Sequence, residues 1–139
     1  MTTTDARRDS EVASDALNAL FAAQGFAQPK IFAEGLRKDA DGWAHNAWEI
    51  RIEGELFAYH TGTGIKGQPN PAEVLACYCR EGLEANEPFA DWCATFGYDK
   101  DSRKALATYL VCQANGEKAR RVLGSRKLVE QFAELSYRL

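Results

Sequence analysis

Two histidines, four cysteines and several paired carboxylates are the residues of this 139-residue chain whose types could do chemistry. Nucleophilic catalysis needs a nucleophile, a base within reach and a group that orients the base. The only side chains that titrate near neutrality unperturbed are His45 and His60. His60 alternates with Tyr59 in a strand-like run, which fits a half-buried ring better than a general base. Glu53 with Glu55, and Glu81 with Glu84, have the spacing of charges on wet faces. Asp99, Asp101 and Ser102 sit where a helix must begin, so capping accounts for them. No catalytic residue and no cofactor is assigned on these grounds, and the chain reads as a protein that binds rather than an enzyme.

The cysteines are Cys77, Cys79, Cys93 and Cys112. Structural zinc favours C-x2-C to C-x4-C pairs on tight turns. Cys77 and Cys79 instead fall two apart inside a helical pattern, where side chains diverge by about 200°. Cys93 and Cys112 lie on apolar stripes. Buried, reduced and metal-free thiols are the expectation. Gly62, Gly64 and Gly67 spell G-x-G-x-x-G, but the dinucleotide fingerprint needs a parallel strand before it and a helix opening within it. Here a hairpin pattern precedes the glycines, and Gln68, Pro69, Asn70 and Pro71 delay the helix. The match is read as chance, and the segment as a glycine loop.

Charge is the more informative signal. The net charge of −3 conceals an uneven distribution, with 8 Lys/Arg against 15 Asp/Glu over 1–98 and 9 against 5 over 99–139. Lys100, Arg103, Lys104, Lys118, Arg120, Arg121, Arg126 and Lys127 are interrupted only by Asp101 and Glu117. Cations near a helix C-terminus are already favoured by the macrodipole. Lys118, Arg120, Arg121, Arg126 and Lys127 bracket Gly124, where one helix should stop and another start, and they are the candidate partner-binding residues. An acidic protein surface is one partner class. Nucleic acid is the alternative, through phosphate contacts that would be strongly salt-dependent, although no groove-reading module is evident.

These residues need elements to position them. Phe89, Trp92, Cys93 and Phe96 recur at i, i+3, i+4 and i+7, which predicts a short helix over about 87–96. Pro88 suits its first turn and Gly97 its left-handed end. Asp99 or Asp101 should cap a long helix to Gly124, with Ala105, Tyr109, Cys112, Gly116, Ala119 and Leu123 as its inner stripe. The preceding aromatic helix is the expected partner of that stripe, and Trp92 and Phe96 against Tyr109 and Cys112 are the expected centre of the core.

This stretch resembles a family of small hypothetical proteins carried by bacteriophages and prophages, with the signature F-C-x-x-F-G-Y-D-x-D-S-R-K-A. The residues that carry it are Phe89, Trp92, Cys93, Phe96, Gly97, Tyr98, Asp99, Asp101, Ser102, Arg103, Ala105, Tyr109 and Cys112. The likeness covers about 46–124 and is specific over 89–112. It implies a mobile-element origin and a cytoplasmic setting in a bacterial host, and no catalytic residues. The function it suggests is an accessory protein that binds a host protein or complex, such as an inhibitor of bacterial defence of the anti-CRISPR kind.

Upstream, Asp9 or Ser10 can cap a first helix ending at Gly25, with Val12, Ala16, Leu17, Leu20 and Phe21 inward. A strand is predicted over 30–38 with Ile31, Phe32 and Leu36 as anchors, then a turn at Asp39, Asp41 and Gly42. Trp48, Ile50 and Ile52 alternate with charges, as in a sheet with one wet face. Glu53, Gly54 and Glu55 should turn the chain into a third strand to Thr61. Asn70, Pro71 and Glu73 open a helix to about Leu83, with Leu75, Tyr78, Cys79 and Leu83 inward. Ser125 can cap a last helix carrying Leu128, Val129, Phe132 and Leu135.

The predicted fold class is α+β: a short N-terminal helix, a three-stranded antiparallel meander, then about four helices packed on one face of the sheet. One domain over 1–139 is expected, with 1–9 loosely ordered, 30–62 the sheet and 71–137 the helical part. No stretch has the length and apolarity of a membrane span, so no membrane partner is expected.

Overall fold

A computed structural model describes residues 8–38, 44–62 and 69–139, with side chains at all of these except 33–38, 44–46 and 60–62. Residues 1–7, 39–43 and 63–68, on which the expected turn at 39–42 and most of the expected glycine loop fall, lie outside the described residues, as do the side chains of Leu36, His45 and His60. The architecture is α+β as the pattern predicts. Helix α1 (Asp9–Ala23) leads into strands β1 (Lys30–Lys38), β2 (Ala44–Ile52) and β3 (Glu55–Gly62). Helices α2 (Pro71–Glu84), α3 (Phe89–Phe96), α4 (Arg103–Leu123) and α5 (Arg126–Ser136) follow. The sheet is an antiparallel meander in the order β1-β2-β3.

Register brings the apolar residues together across the sheet. Ile50 pairs with Ile31 on one side and Phe57 on the other, and Trp48 pairs with Tyr59. A register shift between Ala33 and Gly35 interrupts β1. Phe32, expected as an anchor beside Ile31, is 45% exposed. Adjacent strand residues face opposite sides, so only one of the two can join the core. Glu53 and Gly54 close the β2–β3 hairpin with φ of 50° and 83°, as the type I′ turn demands. Glu53 is held in that left-handed conformation by long-range packing, since its Oε1 accepts the Ala27 N–H at 2.6 Å.

The main core joins α1, the sheet, α2, α4 and α5. Leu17, Ile50, Ile52, Phe57, Leu75, Cys79 and Phe132 are fully buried within it. The outer edge of β3 is covered by side-chain donors from helices. Tyr78 Oη accepts the Ala58 N–H at 2.7 Å and donates to the Ala58 carbonyl at 3.1 Å. Lys118 Nζ donates to the Leu56 carbonyl at 2.6 Å, with its ammonium 5.9 Å from the Phe57 ring centre. These contacts satisfy backbone groups that an edge strand otherwise leaves open.

The inner stripe of α4 is as predicted, but its main partner is α2, not the aromatic helix before it. Gly82 of α2 and Gly116 of α4 meet backbone to backbone, and a Cβ on either would overlap the Cα of the other. Asn115 Nδ2 donates to Glu81 Oε2 at 2.5 Å beside this crossing. Only the first half of α4 meets α3, through a smaller cluster of Ala85, Trp92, Cys93, Ala105 and Tyr109, with Phe89 and Cys112 against it. Trp92 lies 4.9 Å from Tyr98 in a parallel stack and 5.3 Å from Tyr109. Tyr109 Oη donates to the Glu87 carbonyl at 2.5 Å, which ties α4 to the α2–α3 link.

Four other expectations are corrected. Phe96 is 42% exposed and does not share the burial of Trp92. The eight-residue α3 is too short to hide both ends of an apolar stripe, and Gly97 turns the chain away at φ 75°. The core therefore centres on α2 and the sheet rather than on Trp92. Ser102, not Asp99 or Asp101, caps α4 by accepting the Ala105 N–H at 3.2 Å, while Asp99 accepts the Asp101 N–H at 2.9 Å in the turn before it. Asp9 begins α1 after an N-cap at Arg8 that makes no side-chain capping bond. Asn70 and Ser125 cap α2 and α5 as predicted, and Pro88 serves α3 as its N-cap.

Two stability tests follow. In an isolated helix Gly→Ala is stabilising by about 1 kcal/mol. At Gly116 the close crossing reverses the sign, so Gly116→Ala should cost about 1–3 kcal/mol and lower the melting temperature. A raised melting temperature would mean the helices do not touch there. Trp92→Ala should cost about 3–5 kcal/mol, whereas exposed Phe96→Ala should cost under about 1 kcal/mol; thermal denaturation of the pair reads the contrast.

Candidate functional site

The carboxylates first considered for catalysis each hold an internal contact. Glu53 binds the Ala27 N–H, and Glu81 accepts from Asn115. Glu84 accepts from Tyr137 Oη at 2.6 Å and lies 3.7 Å from Arg80. Burial and this hydrogen bond to Glu84 push the Tyr137 phenol up to about 12. Glu55 and Arg121 are joined by two bonds, Nε to Oε1 at 2.8 Å and Nη2 to Oε2 at 3.4 Å. The Arg121 hydrogen bond holds the Glu55 carboxyl below its ordinary value.

Of the four thiols expected to be buried, Cys79 and Cys93 are, whereas Cys77 and Cys112 are only half-buried. Cys79 is buried in the main core, where desolvation pushes it up to about 12, and burial pushes Cys112 up to about 11. A thiolate is the nucleophile and metal ligand, so neither group is poised for that work at neutral pH. Among the described residues no group of three His, Cys, Asp or Glu side chains could hold a metal ion.

The basic run is divided by helix geometry. Arg103 and Arg120 are 17 residues apart on α4, roughly 25 Å at 1.5 Å per residue. Of the five residues around Gly124, Lys118 and Arg121 turn towards the hairpin and bind Leu56 and Glu55. Arg120, Arg126 and Lys127 stay exposed. Gly124, at φ 68°, stops α4 by donating its N–H to the Arg120 carbonyl at 2.8 Å, and Ser125 then opens α5. That reversal brings Arg120 and Arg126 to one cleft of about 340 Å³.

The cleft lies over the glycine crossing. Gly82, Leu83, Ala85 and Asn86 line one side, and Gln113, Gly116, Glu117 and Val129 complete it. Arg120 reaches Glu117 at 3.4 Å and Arg126 reaches Glu130 at 3.1 Å, all four side chains being at least half exposed. Such exposed pairs are worth little, so either guanidinium can exchange its carboxylate for one on a partner. Lys127 has no ion pair among the described residues. The charge count marked this region, but not the cleft. Its floor depends on Gly82, an interior helix glycine whose partner lies 34 positions away in sequence at Gly116.

Compared with known proteins, the chain matches no family model, no curated protein and no solved structure. Among the described residues no helix is long and apolar enough to cross a membrane.

The Glu55–Arg121 pair sets a pH expectation. A carboxyl held below its unfolded value adds stability above that value and loses it as pH falls through the folded value. Glu55→Gln should therefore lower the melting temperature at pH about 7 and have little effect near pH 2, below the ordinary carboxylate range. Equal effects at both pH values would exclude a charge-dependent role.

Proposed function

We propose that this protein acts by binding, as a phage- or mobile-element-encoded accessory protein that covers an acidic surface of a host protein. Inhibition of bacterial defence, as by an anti-CRISPR protein, is the class that the resemblance over 89–112 supports. The observation that carries the binding reading is the cleft flanked by Arg120 and Arg126, with Lys127 beside them. Two exposed guanidinium groups there are held only by weak surface pairs, next to apolar wall and amide groups. Guanidinium forks match carboxylates in two-bond geometry. Glu117 and Glu130 stand among the cations, which disfavours a phosphate backbone and favours a protein partner that presents carboxylates singly.

The test is capture from a bacterial lysate on the tagged full chain, with and without nuclease, followed by titration of the captured partner. The Arg120→Ala, Arg126→Ala, Lys127→Ala triple variant spares Arg121 and Lys118, so it should melt within a few degrees of the parent. It should bind at least tenfold more weakly, roughly 1.4 kcal/mol or more, with the loss greatest at low salt. Capture abolished by nuclease would transfer the site to nucleic acid. Unchanged affinity of the triple variant across salt concentrations would remove the cleft from the interface.

A further inference from the structure

The outward face of α4, opposite its buried stripe, is apolar over the first half of the helix. Leu106 and Leu110 are 44% and 53% exposed, and Ala107 and Ala114 are exposed beside them. One exposed leucine is ordinary, but apolar residues on successive turns of one face form a patch. Arg103, Leu110 and Glu117 recur at seven-residue steps, with Leu106, Ala107 and Ala114 between them, so they share one seam along the helix.

The seam carries opposite charges at equal distances from its centre. Arg103 lies seven residues before Leu110 and is exposed, with no ion pair among the described residues. Glu117 lies seven residues after it, 63% exposed and held only by Arg120 at 3.4 Å.

We propose that this face joins two copies of the chain, with α4 packed antiparallel on α4 about a two-fold axis at Leu110. An isologous contact repeats every pairing twice. Leu110 meets Leu110 of the second copy, and Leu106 meets Ala114, a large side chain against a small one. Arg103 meets Glu117 at both ends. A parallel pair would set Arg103 against Arg103 and Glu117 against Glu117, so charge selects the antiparallel arrangement. Residues 103–117 span only about 21 Å of helix, too little for the roughly 1,200 Å² of a standard interface. The association is accordingly weak, with a dissociation constant on the order of 10–100 μM. It shares Glu117 with the wall of the Arg120 cleft, but the contact between copies does not depend on host-protein binding.

Sedimentation equilibrium of the full chain from about 1 to 500 μM, bracketing that range, is the test. The average mass should rise from 15.4 kDa towards twice that value. Leu110→Glu, at an exposed position, should fold normally and stay monomeric. Arg103→Glu should weaken association about tenfold or more, and adding Glu117→Arg to it should restore the parent affinity within about threefold. A parent that remains monomeric throughout overturns the proposal. A Leu110→Glu variant that still dimerises moves the contact off this face and overturns it too. A charge exchange that fails to restore association overturns the antiparallel register.

Discussion

The backbone contact between Gly82 and Gly116 is the constraint on which the arrangement of the helices depends. Helices ordinarily pack with axes about 8–10 Å apart, a separation set by the side chains between them. With no side chain on either helix at this crossing, α4 lies close against α2. That proximity lets Asn115 reach Glu81 and lets Lys118 cross to the carbonyl of Leu56. Both glycines also line the cleft beside Arg120 and Arg126. Stability and a candidate binding surface thus share one pair of residues.

Helix α4 serves two clusters in succession. Its C-terminal half contributes Ala119 and Leu123 to the core built on the sheet and α2. Its N-terminal half contributes Ala105 and Tyr109 to the aromatic group around Trp92. The two are joined by α4 itself and by the Tyr109 hydrogen bond to Glu87. A lesion in the aromatic group therefore acts first on α3 and reaches the sheet through the long helix.

Local signals were legible in the sequence where the physics is local. Asn70 with Pro71, Ser125, Gly97 and Gly124 mark helix ends through the conformation each requires, and the structure places ends at all four. The alternation of Trp48, Ile50 and Ile52 placed the central strand. Long-range geometry was not legible. The α4 stripe showed that a helix could approach closely, but the choice of α2 over α3 rests on Gly82, which looks like an ordinary helix weakener until its neighbour is known. Phe96 follows the same periodicity as Trp92, yet one is covered and the other is 42% exposed, a difference that periodicity alone does not carry. Charge counting found the basic region, yet it could not separate Lys118 and Arg121, spent on the hairpin, from Arg120, Arg126 and Lys127. That division depends on which side of a helix faces β3.

The sealing of β3 by Tyr78 and Lys118 bears on how the sheet can meet other chains. An unprotected edge recruits strands, from peptide ligands or from misfolded copies, by completing their hydrogen-bond ladder. At Ala58 both ladder groups are taken by a phenol, and at Leu56 the carbonyl is taken by an ammonium. A strand arriving there would have to displace donors anchored in two helices. The opposite edge belongs to β1, whose register shift near Gly35 breaks the even spacing a docking strand would need. Among the described residues the meander is thus capped at Leu56 and Ala58 on one side and irregular near Gly35 on the other.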